Sequence, residues 1–200
     1  MTLANKITIA RMVTVPIVLW LIYEGRYCLA LGLFVAASIS DGVDGYIARR
    51  YNQKTVLGSI LDPLADKFLL TLTFIILTAS PNTRRDLCHP AWLTVAVTYR
   101  DLLIMLGSGT AKWFCRATQF RPIVSSKLTT IFQMLTVSIV VLANLLASLG
   151  FNPVWSRTPI QVLSVITGLL CLISVLGYYR VGTQFLQEEG EELARDEAQA

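Results

Sequence analysis

The chain has 200 residues, room for one domain of ordinary size, and 54% of them are hydrophobic against 15% charged, with a mean hydropathy of +0.58. That much apolar surface excludes a disordered chain. One His and four singly spread Cys, at a net charge of +4, argue against a common zinc site or a disulfide scaffold. The composition is that of an integral membrane protein. Apolar runs of the length a bilayer core needs, about 20 residues, occur at 7–23, 27–51, 57–79, 90–110, 128–149 and 158–179. Lipid satisfies no open sheet edge, so the runs predict six transmembrane helices of an all-α protein. Polar or turn-forming residues punctuate them: Glu24-Gly25-Arg26, Asn52-Gln53-Lys54, Ser80-Pro81-Asn82 and Gly150-Phe151-Asn152-Pro153.

With six spans, both termini share a side with the second and fourth connections. That side holds twelve of the 17 Lys and Arg, and the opposite side only Arg26, Arg84, Arg85 and Arg157. The positive-inside rule therefore places the termini in the cytoplasm, or in the matrix of a mitochondrion. Residues 1–185 form the membrane domain, and 186–200, with Glu188, Glu189, Glu191 and Glu192, an acidic polar tail, solvated or a frayed helix. The first residues hold no Arg-rich amphipathic stretch of the transit-peptide kind, so such a peptide was removed or never existed.

Four carboxylates interrupt the apolar pattern. Asp41 and Asp44 follow the run 31–40, and Asp62 and Asp66 lie inside the third run. Charges at membrane depth are costly and usually face the protein interior or a wet cavity. Helical spacings of three and four put each pair on one face. The short connection at 52–56 makes the two helices antiparallel neighbours, so the pairs meet near one end of the hairpin. Four converging carboxylates repel one another unless divalent cations hold them, and all-oxygen ligands favour Mg²⁺, Mn²⁺ or Ca²⁺. Gly45, Ala48 and Gly58 leave space beside the acidic cluster, or alternatively serve close helix packing. Arg49 adds a cation suited to phosphate oxygens.

The spacing Asp41-x2-Asp44-Gly45-x2-Ala48-Arg49-x8-Gly58-x3-Asp62-x3-Asp66 resembles the signature of the CDP-alcohol phosphatidyltransferases, with every defined position filled. The resemblance implies a six-helix membrane enzyme whose active site lies between helices near the cytoplasmic or matrix side. It also implies that Asp41, Asp44, Asp62 and Asp66 bind two divalent ions, Mg²⁺ or Mn²⁺, with Asp66 the general base. Gly45, Ala48, Arg49 and Gly58 are then expected to shape the pocket for the cytidine nucleotide and its phosphates. Asn5, Thr8 and Arg11 are expected to cover it.

Three flanking segments are similar to the cardiolipin-synthase branch of the family, the first of them equally to phosphatidylglycerophosphate synthases. They are the opening Ala4–Arg11, where Ala4 stands for the usual proline, then Tyr99-Arg100-Asp101, and Arg121-Pro122 with Ser126–Gln133, where Thr129 replaces an asparagine. That branch implies CDP-diacylglycerol and phosphatidylglycerol as substrates, in a bilayer, with no nucleic-acid partner and a possible homodimer. It implies the inner mitochondrial membrane in a eukaryote and the plasma membrane in a bacterium. Arg100, Arg121 and Lys127 are candidates for the anionic acceptor lipid. For Arg100 a structural pair with Asp101 is equally open, and snorkelling accounts for Arg121 and Lys127 as well. His89 and the cysteines are assigned packing or solvent exposure. Two alternatives stand beside this reading: phosphatidylglycerophosphate synthase, with glycerol 3-phosphate as acceptor, and a cation transporter.

Overall fold

The computed structural model describes the backbone of residues 3–51, 56–114 and 124–199, and the side chains of residues 12–40, 67–107 and 126–179. Six long helices make up the fold: α1 (Leu3–Tyr23), α2 (Tyr27–Tyr51), α3 (Val56–Ala79), α4 (Ala91–Phe114), α5 (Val124–Ser148) and α6 (Arg157–Gln199). Two short 3₁₀ turns, Arg85–Leu87 and Val154–Ser156, precede α4 and α6. No strand occurs among the described residues. Ser126–Ser148 and Val154–Tyr179 are long and apolar enough to cross a membrane, while 12–23, 27–40 and 67–79 are shorter apolar stretches of the described chain.

Two helix ends follow directly from glycine. Gly25 and Gly150 adopt φ of 73° and 87°, a conformation that costs other L-residues energy. Each closes a Schellman cap: Arg26 N–H bonds Leu21 O and Gly25 N–H bonds Ile22 O, at 2.8 and 3.0 Å. Phe151 and Gly150 do the same at the end of α5, at 3.1 and 3.2 Å. The chain turns there with carbonyls of the last helical turn paired by the cap.

Helix α1 packs on α2 and α3, α5 packs on α2, α3 and α6, and α4 lies against α3 and α6. Direct contact between the described parts of α2 and α3 is minor, so α1 and α5 bridge the two helices expected to pair. Val18, Phe34, Leu70, Phe74, Leu93, Val97 and Val140 fill the interior. The outside is apolar too: Val95, Leu106, Leu172 and Tyr179 are more than half exposed. Polar side chains are inside instead, with Thr73, Thr129, Thr136, Ser164, Thr167 and Ser174 fully buried. Their hydroxyls find partners within the bundle, as where Thr136 and Thr167 meet at 3.2 Å and Thr129 donates to Leu170 O at 3.3 Å. An apolar exterior around hydrogen-bonded polar groups suits lipid as the surrounding solvent.

Candidate active site

The signature lies on two helices. Asp41, Asp44, Gly45, Ala48 and Arg49 belong to α2, and Gly58, Asp62 and Asp66 to α3. Their side chains lie outside the described residues, as do those of Asn5, Thr8 and Arg11 on α1, while Arg121 lies outside them altogether. Helical register still fixes the line each position continues. On α3, Asp62 and Asp66 extend the stripe of Leu69, Leu70, Thr73 and Leu77, all buried. On α2, Asp41, Asp44 and Gly45 extend the stripe of Ala30 and Phe34, also buried. The four acidic positions thus prolong the two core-facing rows.

Immediately beyond Asp66 the side chains are described, and they form a polar junction of four helices. Lys67 Nζ of α3 donates to Asp101 Oδ1 of α4 at 2.9 Å, and Thr71 Oγ1 donates to Asp101 Oδ2 at 3.2 Å. Arg100 Nη1 donates to the same Oδ1 at 2.5 Å. The rest of the guanidinium is taken by serines: Nη2 reaches Ser126 Oγ on α5 at 2.7 Å and Ser174 Oγ on α6 at 3.2 Å, and Nε reaches Ser174 Oγ at 3.4 Å. The Arg100 side chain has no exposed surface and Asp101 only 3%. A buried cation is tolerable here because a carboxylate and two hydroxyls replace its water.

Of the two readings open for Arg100, the pair with Asp101 is the one its side chain makes. Lys127 is exposed on the first turn of α5, next to Ser126. Arg100 therefore fixes the helix end that carries Lys127, and Lys67 fixes α4 one residue past Asp66. The Lys67–Asp101 contact was not foreseen; a cation following Asp66 within an apolar run was its signal in the sequence. In the same interior Gln133 is fully buried. Its amide finds no nitrogen or oxygen partner among the described residues, and the Cys171 thiol is the weak partner it has there.

Comparison with known proteins identifies relatives of the chain. A family model described as CDP-alcohol phosphatidyltransferase matches residues 1–177. A human protein named cardiolipin synthase (CMP-forming) is 34% identical over 196 residues, covering 93% of this chain and 63% of the human one. Its rat counterpart is 35% identical with the same coverage. A Rickettsia typhi protein named CDP-diacylglycerol–glycerol-3-phosphate 3-phosphatidyltransferase is 31% identical over 182 residues, covering 89% of this chain and 95% of the other. The chain spans somewhat under two thirds of the mammalian relatives' length.

Proposed function

Because the chain belongs to the CDP-alcohol phosphatidyltransferase family, we propose that it is a six-span membrane enzyme transferring the phosphatidyl group of CDP-diacylglycerol to phosphatidylglycerol, giving cardiolipin and CMP. The observation that carries this reading is the register of Asp41, Asp44, Asp62 and Asp66, which continue the buried rows of α2 and α3. These four form an all-oxygen donor set that fits two Mg²⁺ or Mn²⁺. Such ions, when bound, neutralise charge on phosphate oxygens.

The protein's own residues divide the remaining work. Asp66 takes the proton of the acceptor's hydroxyl, whose oxygen bonds to the phosphorus carrying diacylglycerol as the bond to CMP breaks. Arg49 binds phosphate oxygens, and Gly45, Ala48 and Gly58 leave room for the nucleotide, covered by Asn5, Thr8 and Arg11. Arg121 and Lys127 seat the acceptor's phosphodiester on the cytoplasmic or matrix side. Arg100 acts through them, holding the first turn of α5 by its bonds to Ser126. Most of the acceleration comes from positioning and charge complementarity, as phosphoryl transfer requires.

A second reading, glycerol 3-phosphate as acceptor, draws on the Rickettsia typhi relative, which matches this chain over 95% of its own length. One experiment separates the two. Purified protein in detergent is given CDP-diacylglycerol with phosphatidylglycerol or glycerol 3-phosphate, with Mg²⁺ or with chelator. Cardiolipin and CMP are expected only with phosphatidylglycerol and metal. Phosphatidylglycerophosphate as the product would replace the acceptor, and full turnover in chelator would remove the metal ions.

A further inference from the structure

At the end of the bundle away from the aspartates, a pocket of about 360 Å³ opens between the α3–α4 connection and the first turn of α6. From Asp66 to the last residue of α3 is about 20 Å at 1.5 Å per residue, so the pocket is separate from the candidate active site. Its volume falls in the range of small-ligand sites.

The pocket is cationic and its frame is fixed. Arg85 and Arg157 line it, with Asp86 between them. Asp86 is shared: Arg157 Nη2 donates to it at 2.6 Å, and Arg84 Nη2 and Nε at 3.2 and 3.3 Å. The Arg157 bond above all, with help from Arg84, holds the Asp86 carboxyl below its ordinary range, so it stays ionised. Arg85 makes no ion pair among the described residues. Arg85 and Arg157 against Asp86 leave one positive charge in excess in the lining. His89 in the wall adds none at neutral pH, because burial drives its pKa down to about 4. The loop is anchored from α5, where Asn144 Oδ1 accepts the Arg84 N–H at 2.9 Å. Thr83, itself buried, also lines the pocket, its hydroxyl accepting from the Tyr27 OH at 3.3 Å.

An aromatic residue near the opening suits headgroup depth. Trp155, 61% exposed, stands two residues before the lining residue Arg157. Exposed indoles of a membrane protein collect at the interface between hydrocarbon and water. Planar guanidiniums on a preorganised frame match phosphate oxygens.

We propose that this pocket binds the phosphate ester of an anionic phospholipid headgroup, through the guanidiniums of Arg85 and Arg157. The site lies across the bundle from the signature, so a lipid held there is not in position for the transfer.

The test uses the full chain in detergent, with thermal unfolding followed as each probe is added: phosphatidic acid, phosphatidylcholine, or inorganic phosphate. Phosphatidic acid is expected to raise Tm saturably, and phosphatidylcholine to leave it unchanged. Arg85→Gln together with Arg157→Gln is expected to raise the half-saturating phosphatidic acid concentration by about tenfold or more, the scale of one lost charge-assisted contact. Arg85→Gln alone, which breaks no ion pair, keeps the test valid should the double variant fold poorly. Arg84→Gln, outside the pocket lining, and Asp66→Asn are expected to respond like the wild type. The same Arg85-dependent response to inorganic phosphate would support the phosphate site with a free anion as its source. Equal responses in wild type and both Arg85 variants would overturn the proposal. Loss of the response in Asp66→Asn alone would overturn it too, by assigning the lipid to the active site.

Discussion

Replacing Asp101 by Asn tests whether the junction of α3, α4, α5 and α6 is held by charge. The substitution keeps the side chain's shape and removes a carboxylate that two cations share. Asp101 accepts from Lys67 at 2.9 Å, Thr71 at 3.2 Å and Arg100 at 2.5 Å, in a setting where Arg100 is wholly buried and Lys67 17% exposed. Removing one partner of a buried pair strands the other, at a cost of about 3–5 kcal/mol. A Coulomb term of about 4 kcal/mol, for charges about 4 Å apart at an effective dielectric constant of about 20, agrees. For a chain of this size, about 2–4 °C of Tm per kcal/mol makes the expected loss roughly 6–20 °C in detergent. Combining Arg100→Gln with Asp101→Asn should cost less than the sum of the two, by about 1–3 kcal/mol, since the stranded charge goes as well. A loss below about 1 kcal/mol in Asp101→Asn, or strict additivity in the double variant, would refute a charge-held junction.

The helices were legible because lipid demands long apolar runs, and the ends of α3 and α1 fall where the polar and glycine breaks stand. Helix continuation past those runs was not. Helix α5 begins at Val124, ahead of the expected 128, because Ser125, Ser126 and Lys127 form its first turn. Helix α6 does continue to Gln199, the helical alternative for the acidic stretch, whose Glu, Leu and Ala are good helix formers that counting apolar residues passes over. The acidic positions could be read because spacing alone puts them on common faces. Arg100 could not be settled from spacing, because Ser126 and Ser174 come to it from other helices. His89 gave no local signal either: Thr78 and Thr94 hold its Nε2 at 3.1 and 2.8 Å, and Phe74 stacks edge-on at 4.7 Å. Those contacts exist only once α3 and α4 are side by side.

Three further outcomes are expected. Asp66→Asn should abolish CMP release while CDP-diacylglycerol still binds; near-normal turnover would exclude it as the base. Protonating His89 opposes folding, since its pKa falls from 6.5 to about 4 when buried. The folded state then binds fewer protons than the unfolded one, so stability is full above pH 6.5 and declines toward pH 4, by about 3 kcal/mol in all. His89→Gln should flatten the Tm profile over that window, and an unchanged slope would sink the assignment. Gln133→Met concerns the bundle's interior, where a buried amide with no partner among the described residues but a weak thiol costs about 1–3 kcal/mol. Methionine fills a similar volume with no polar atom to desolvate, so the variant should be more stable by about that amount, with turnover unchanged. Lower stability would mean that water partners the amide and the interior is wet at this level. Higher stability with lost turnover would mean that Gln133 is kept unpaired for a substrate, which would extend the active site from the aspartates into α5.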